Sequence, residues 1–243
     1  MNTTLVKEAL EKISETVSFT SPPMGWYFSP EELDNTFVFQ NSKRWVCIFM
    51  YLKQATVKGK RIRFSDDEDK ACPGIAELGG FRPLSGEDGK FIGETERFKK
   101  SCELAQGYYR DTLSMIHPPK EKYVYFEKIE SIDDSQEIEV VNLFPDAASL
   151  ASLVVLAHYD RESNMDNVIV PFASGCESAF TVPYHEQFSD KPRCVLGLMD
   201  HLVRKFVPKD MILFSLPTNR LLEMANNIEG SFLDPNFENP TSF

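Results

Sequence analysis

Apolar residues recur at three- and four-residue intervals at Val6, Leu10, Ile13 and Val17. That spacing predicts one buried face of a helix, with Thr3 or Thr4 as its cap. Ser21-Pro22-Pro23 ends the element. Residues 29–36, SPEELDNT, predict a further helix start, with Ser29 as cap, Pro30 in the first helical position and Glu32 completing a capping box. The run RWVCIFMYL, 44–52, is apolar and of strand length, so it predicts a buried strand. KRIRFSDD predicts another, followed by an acidic run, Asp66 to Asp69, that faces water. Residues 79–93, GGFRPLSGEDGKFIG, have the composition of an irregular loop and match neither GxGxxG nor a P-loop.

A long helix is predicted from Thr95 to Ile116, with Phe98, Cys102, Ala105, Tyr109, Leu113 and Ile116 as its apolar stripe, stopped by His117-Pro118-Pro119. The pattern then alternates. KYVYFEKI and IEVVNLF read as strands, Ala147 to His158 as an apolar helix, and NVIVPFA as a strand. A short helical segment after Gly175, interrupted by Pro183, then strands RCVLGLM and MILFSLP, and a helix opening at Thr218 (Leu221, Leu222, Ala225, Ile228) follow. Interleaved strands and helices predict an α+β (mixed α/β) fold with helices packed on a mixed sheet. The proline-bearing break at 117–122 is short. The expectation is therefore a single domain over 1–243, with two similar-sized lobes at 1–117 and 122–234.

Composition narrows the function classes. The chain has 243 residues, 42% of them hydrophobic, enough for a substantial core. A formal net charge of −11 argues against a nucleic-acid surface. No run approaches the length of a membrane-spanning helix. Lys7, Glu8, Glu11 and Lys12 interrupt any signal-peptide core. Five cysteines without a CxxC pair read as reduced thiols of a cytoplasmic protein.

The cysteines fall into two groups. Cys47, Cys102 and Cys194 lie in apolar runs or on an apolar stripe and read as core. Cys72 directly precedes Pro73, a favoured residue of a first helical turn, and Ser174 and Glu177 have capping-box spacing around Cys176. Both thiols are thus expected at helix N-termini, where unpaired N–H groups favour thiolate, the form that binds soft metals or attacks electrophiles. Cys72 and Cys176 are accordingly the candidate ligand-binding and metal-binding residues, expected in one cleft. Cys176 is also a candidate nucleophile, with His185 as its base. The histidine spacings match no zinc signature, and HExxH and GxSxG are absent from the sequence.

From residue 138 the segments IEVVNLFPDAASLASLVVLAHYD, SGCESAF and RCVLGLMDHLVRKFVPKDMILFSLP resemble the uncharacterised ArCR family, domain of unknown function 169. The positions carrying the likeness are Pro145, Cys176, Gly197, Arg204 and Pro217, with ACPGIAELGG around Cys72 as an earlier segment. The likeness spans residues 40 to 225. It implies a bacterial or archaeal cytoplasmic protein and supplies no activity, and whether the chain is an enzyme stays open. Two readings follow. In the first, the chain binds a small molecule, metal or cofactor of unknown identity at a cysteine-containing site, with Arg204 as a further ligand contact. In the second, it is a cysteine-dependent or thiol-redox enzyme. A third, an interaction domain, fits the acidic surface without a specific motif.

Overall fold

In a computed structural model of the chain, residues 2–38, 47–65, 73–83, 97–172 and 174–237 are described. Helix α1 (Thr3–Ser14) starts at Asn2, whose side chain accepts from the Thr4 amide, so the cap lies one residue earlier than expected. Its buried face is the expected one: Val6, Leu10 and Ile13, with Val17 beyond. Strand β1 (Phe19–Ser29) runs straight through Pro22 and Pro23. Proline lacks the N–H a ladder needs. The strand accommodates both where its pairing is irregular, with register shifts between Phe19 and Ser21 and between Ser21 and Met24. From Met24 onward β1 pairs on both sides, with β4 (Tyr123–Lys128) and β5 (Ile138–Pro145).

The predicted helix at 29–36 is absent. Ser29 Oγ instead accepts from the Glu31 amide, Asn35 takes a left-handed backbone (φ 56), and β2 (Thr36–Phe37) begins there. The expected strand at 44–52 is corrected likewise. From Ile48 to Tyr51 the chain forms a 3-10 turn that continues into α2 (Leu52–Thr56), putting Ile48, Phe49 and Leu52 inside. Periodicity cannot separate a short apolar strand from a buried helix of the same length. After β3 (Arg61–Phe64) come α3 (Pro73–Leu78), α4 (Cys102–Met115), α5 (Ala147–Leu156), β6 (Val168–Ile169) and α6 (Val182–Glu186). Strand β7 (Cys194–Gly197), α7 (His201–Arg204), β8 (Leu213–Pro217) and α8 (Thr218–Asn226) complete the order.

The architecture is mixed α+β. Among the described residues eight strands form one sheet in the order β2-β3-β4-β1-β5-β8-β7-β6, with the β2/β3 and β6/β7 pairs parallel and the others antiparallel. Alternation sorts the central strands between two cores. Met24, Trp26, Phe28, Phe64, Phe126 and Phe144 meet α2, α3 and the helical segment 175–186 on one face. Tyr27, Tyr125, Val141 and Leu143 meet α1, α5 and α8 on the other.

The long helix begins later than predicted and turns a different face inward. Ala105 and Thr112 are buried, whereas Leu113, placed on the predicted stripe, is 46% exposed and Cys102 is half-buried. The cause is a polar partner on the neighbouring helix. The acidic run from Asp66 and most of the glycine-rich loop lie outside the described residues.

Candidate functional site

Residues 175–186 form the helix predicted after Gly175, and the expected capping box at Ser174 and Glu177 is present. Ser174 Oγ accepts from the Glu177 amide at 3.3 Å, and Glu177 Oε2 accepts from the Ser174 amide at 3.0 Å. Cys176 thus sits in the first turn, 4% exposed, in the core that includes Phe49, Phe180 and Val203. Gly175 makes that approach feasible, since a Cβ there would stand 3.0 Å from the Phe49 ring.

Pro183 does not break this helix. The turn Glu177–Thr181 widens to π geometry, with the Val182 amide reaching Glu177 O. Where Pro183 withholds an N–H, the Ala179 carbonyl accepts from Asn142 Nδ2 at 2.9 Å instead. Asn142 also accepts from Trp26 Nε1 at 2.9 Å and donates to Ser215 Oγ at 3.0 Å. Gly197 lets β7 approach the same turn: an added Cβ would lie 2.7 Å from Ser178 Oγ.

The electrostatics of the helix start differ from the sequence expectation. Its first two N–H groups, those of Ser174 and Gly175, are engaged by carboxylates. Glu177 takes the Ser174 amide, and Asp200, which also caps α7 through the Leu202 amide at 2.9 Å, interacts with the Gly175 backbone. Glu177 is 1% exposed and accepts further from Thr112 Oγ1 at 2.5 Å and from the Tyr108 hydroxyl, both on α4. Burial pushes the Glu177 carboxyl up, outweighing the donors from Thr112, Tyr108 and Ser174 that hold it down. Asp200 is pushed up by burial as well. Among the described residues neither acid has a cationic partner within ion-pair distance. Tyr108 and Thr112 were missed from the sequence. Their signal is the spacing Ala105, Tyr108, Thr112, a second face of α4 on which polar atoms are buried.

An aromatic wall adjoins this start. Phe172 lies 5.4 Å from the Tyr108 ring and 5.5 Å from Phe98, and Phe98 meets the His201 ring at 4.8 Å. Phe172 is 37% exposed, and Lys99 Nζ stands 5.0 Å from its ring centroid.

The other sequence candidates are placed as follows. Cys72 lies outside the described residues; α3, which begins at the next residue, packs on the π turn, with Leu78 O accepting from Thr181 Oγ1 at 2.9 Å. His185 is at the far end of the helix, nine residues and about 13 Å of helical rise from Cys176. Its Nδ1 stands 2.9 Å from His117 Nε2, so the two proposed catalytic groups are not brought into contact. Arg204 turns its guanidinium onto the carbonyls of Pro208, Lys209 and Met211, closing its own loop. Among the described residues no group of three or more His, Cys, Asp or Glu is arranged to hold a metal, and no helix is long and apolar enough to cross a membrane.

The family model described as Uncharacterised ArCR, domain of unknown function 169, matches residues 12–227. The chain belongs to this family. No curated protein and no solved structure matches it. Within this ArCR chain, the resembling positions have structural work to do. Pro145 ends β5 before the Asp146 cap of α5, Gly197 admits Ser178, and Pro217 joins β8 to α8.

Proposed function

We propose that this ArCR protein binds a small molecule against the aromatic wall Phe98–Phe172–His201, at the start of the helix that carries Cys176. The observation carrying the reading is the half-open Phe172 ring beside a helix start held in place by two buried acids, Glu177 and Asp200. Ligand sites pair an apolar wall with a few fixed polar groups, and Lys99 over Phe172 indicates that this ring face accepts a cation. Packing of α3 on the π turn supports the further proposal that Cys72 and Cys176 serve one site, since α3 begins at the residue after Cys72 in the sequence and Cys176 lies in the first turn of the helix on which α3 packs. Binding is preferred over nucleophilic catalysis because the base assigned to Cys176 is engaged at the opposite end of the helix.

Native mass spectrometry of the protein as purified tests the proposal, with a thermal-shift screen of cationic and aromatic small molecules. A bound mass or stabilising compound lost in Phe172→Ala is the expected result. Ligand-free protein with no Phe172-dependent shift overturns it.

A further inference from the structure

The far end of helix 175–186 carries a second arrangement that ligand binding at its start does not use. His117, in the connection between α4 and β4, faces His185 of α6 with Nε2 and Nδ1 2.9 Å apart. The ring centroids are 5.2 Å apart, which is the nitrogen gap with one ring radius on each side, so the nitrogens point at one another. That is the geometry of an N–H···N hydrogen bond. A chelated metal would require the two lone pairs to converge on a third point.

His117 is fixed from its other sides. Its ring packs 4.4 Å from Phe188 and edge-on to Tyr184 at 5.9 Å. Its carbonyl is pressed against Gly80, just beyond α3, where φ is +79 and an added Cβ would lie 2.2 Å from the His117 oxygen. The pair therefore ties three segments together: the end of α3, the α4–β4 connection and α6. The charged groups around it are already matched. Lys120 holds Glu139 at 2.6 Å and lies 6.0 Å from the Tyr184 ring, while Glu186, next to His185, is bound by Arg193.

We propose that His117 and His185 form a proton-operated latch that holds the end of helix 175–186 to the α4–β4 connection and opens when both rings are protonated. Proton placement gives the mechanism. In the neutral pair one ring donates its N–H and the other accepts. A first added proton goes to the bare outer nitrogen of the donor ring, and the bond persists as imidazolium to imidazole. A second proton has only the accepting nitrogen to occupy. It replaces the hydrogen bond with two N–H groups facing each other across two cations. Burial, and then the charge of His185, hold His117 below the ordinary histidine range, in keeping with a late second protonation.

NMR titration of the full chain from pH 8 to 4.5, read on the histidine ring nitrogens, tests this together with amide exchange in residues 182–188. Two midpoints separated by more than about one pH unit are expected. Amide exchange, corrected for its intrinsic pH dependence, should rise at least about tenfold below the lower midpoint. In His117→Asn the exchange step should vanish. If that variant does not fold, the wild-type titration still decides. Coincident titration of both rings near about 6.5 with flat exchange overturns the latch. So does stoichiometric perturbation of both rings by added zinc sulfate, which would make the pair a metal ligand. Neither readout involves the aromatic wall, so this result stands or falls apart from ligand binding there.

Discussion

Asn142 Nδ2 donates to the Ala179 carbonyl at 2.9 Å, supplying from the central sheet the hydrogen bond that Pro183 withholds from its own helix. One fully buried amide thereby holds β5 to the π turn, and through Trp26 and Ser215 to the strands on both sides. Asn142→Ala leaves Trp26 Nε1 and the Ala179 carbonyl buried and unpaired. It should lower stability by about 3 kcal/mol in urea unfolding. A loss under about 1 kcal/mol would show that the helix does not depend on this bond.

Glu177 sets a pH slope. Its folded carboxyl lies above its ordinary value of 4.5 because of burial. The stability linked to it is fully present below that value and is lost as pH rises through the folded pKa. Glu177→Gln, which keeps the shape without the charge, should remove this slope, so the variant gains on the wild type as pH rises above 4.5. Parallel urea curves at each pH would contradict the assignment.

Asp160 behaves in the opposite sense. Both its oxygens accept from the fully buried Arg220, at 2.8 and 2.7 Å, and those bonds hold its carboxyl down to about 2. This stability is present above the unfolded value of 3.8 and is lost as pH falls toward 2. Asp160→Asn should cost about 1–2 kcal/mol at pH 7, a figure reduced for the partly exposed carboxylate, and only a small fraction of that near pH 2. A cost independent of pH would mean packing, not charge, is being lost.

Thiol reactivity should separate the cysteines. Cys194 is wholly buried beside Met224, 3.6 Å away, and burial pushes its thiol up to about 12. Cys102, at the start of α4, is half-buried. Mass spectrometry of the native protein under timed iodoacetamide treatment should find Cys102 modified well before Cys194. The reverse order would require the sheet around Cys194 to open.

Elements that satisfy themselves locally were legible in the chain. The α1 face, strands β4, β5 and β8, the α5 and α8 helices and the Ser174–Glu177 capping box follow from periodicity and cap chemistry within a few residues. So did the mixed α+β class, because strands and helices alternate. Where a neighbour far along the chain supplied the missing partner, only the tertiary structure could decide. Pro22 and Pro23 hid a central strand because the pairing of β1 shifts there to accommodate them. Pro183 suggested a broken helix because its substitute donor, Asn142, belongs to β5. Leu113 looked like core, but Glu177 needed the Thr112 donor, and a buried carboxyl outranks one leucine in choosing the inward face of α4. At Cys176, helix-start chemistry was read correctly as a location and incorrectly as a vacancy. The N–H groups expected to face a thiolate are engaged by Glu177 and Asp200, and a local sequence pattern does not show which distant acid will reach them.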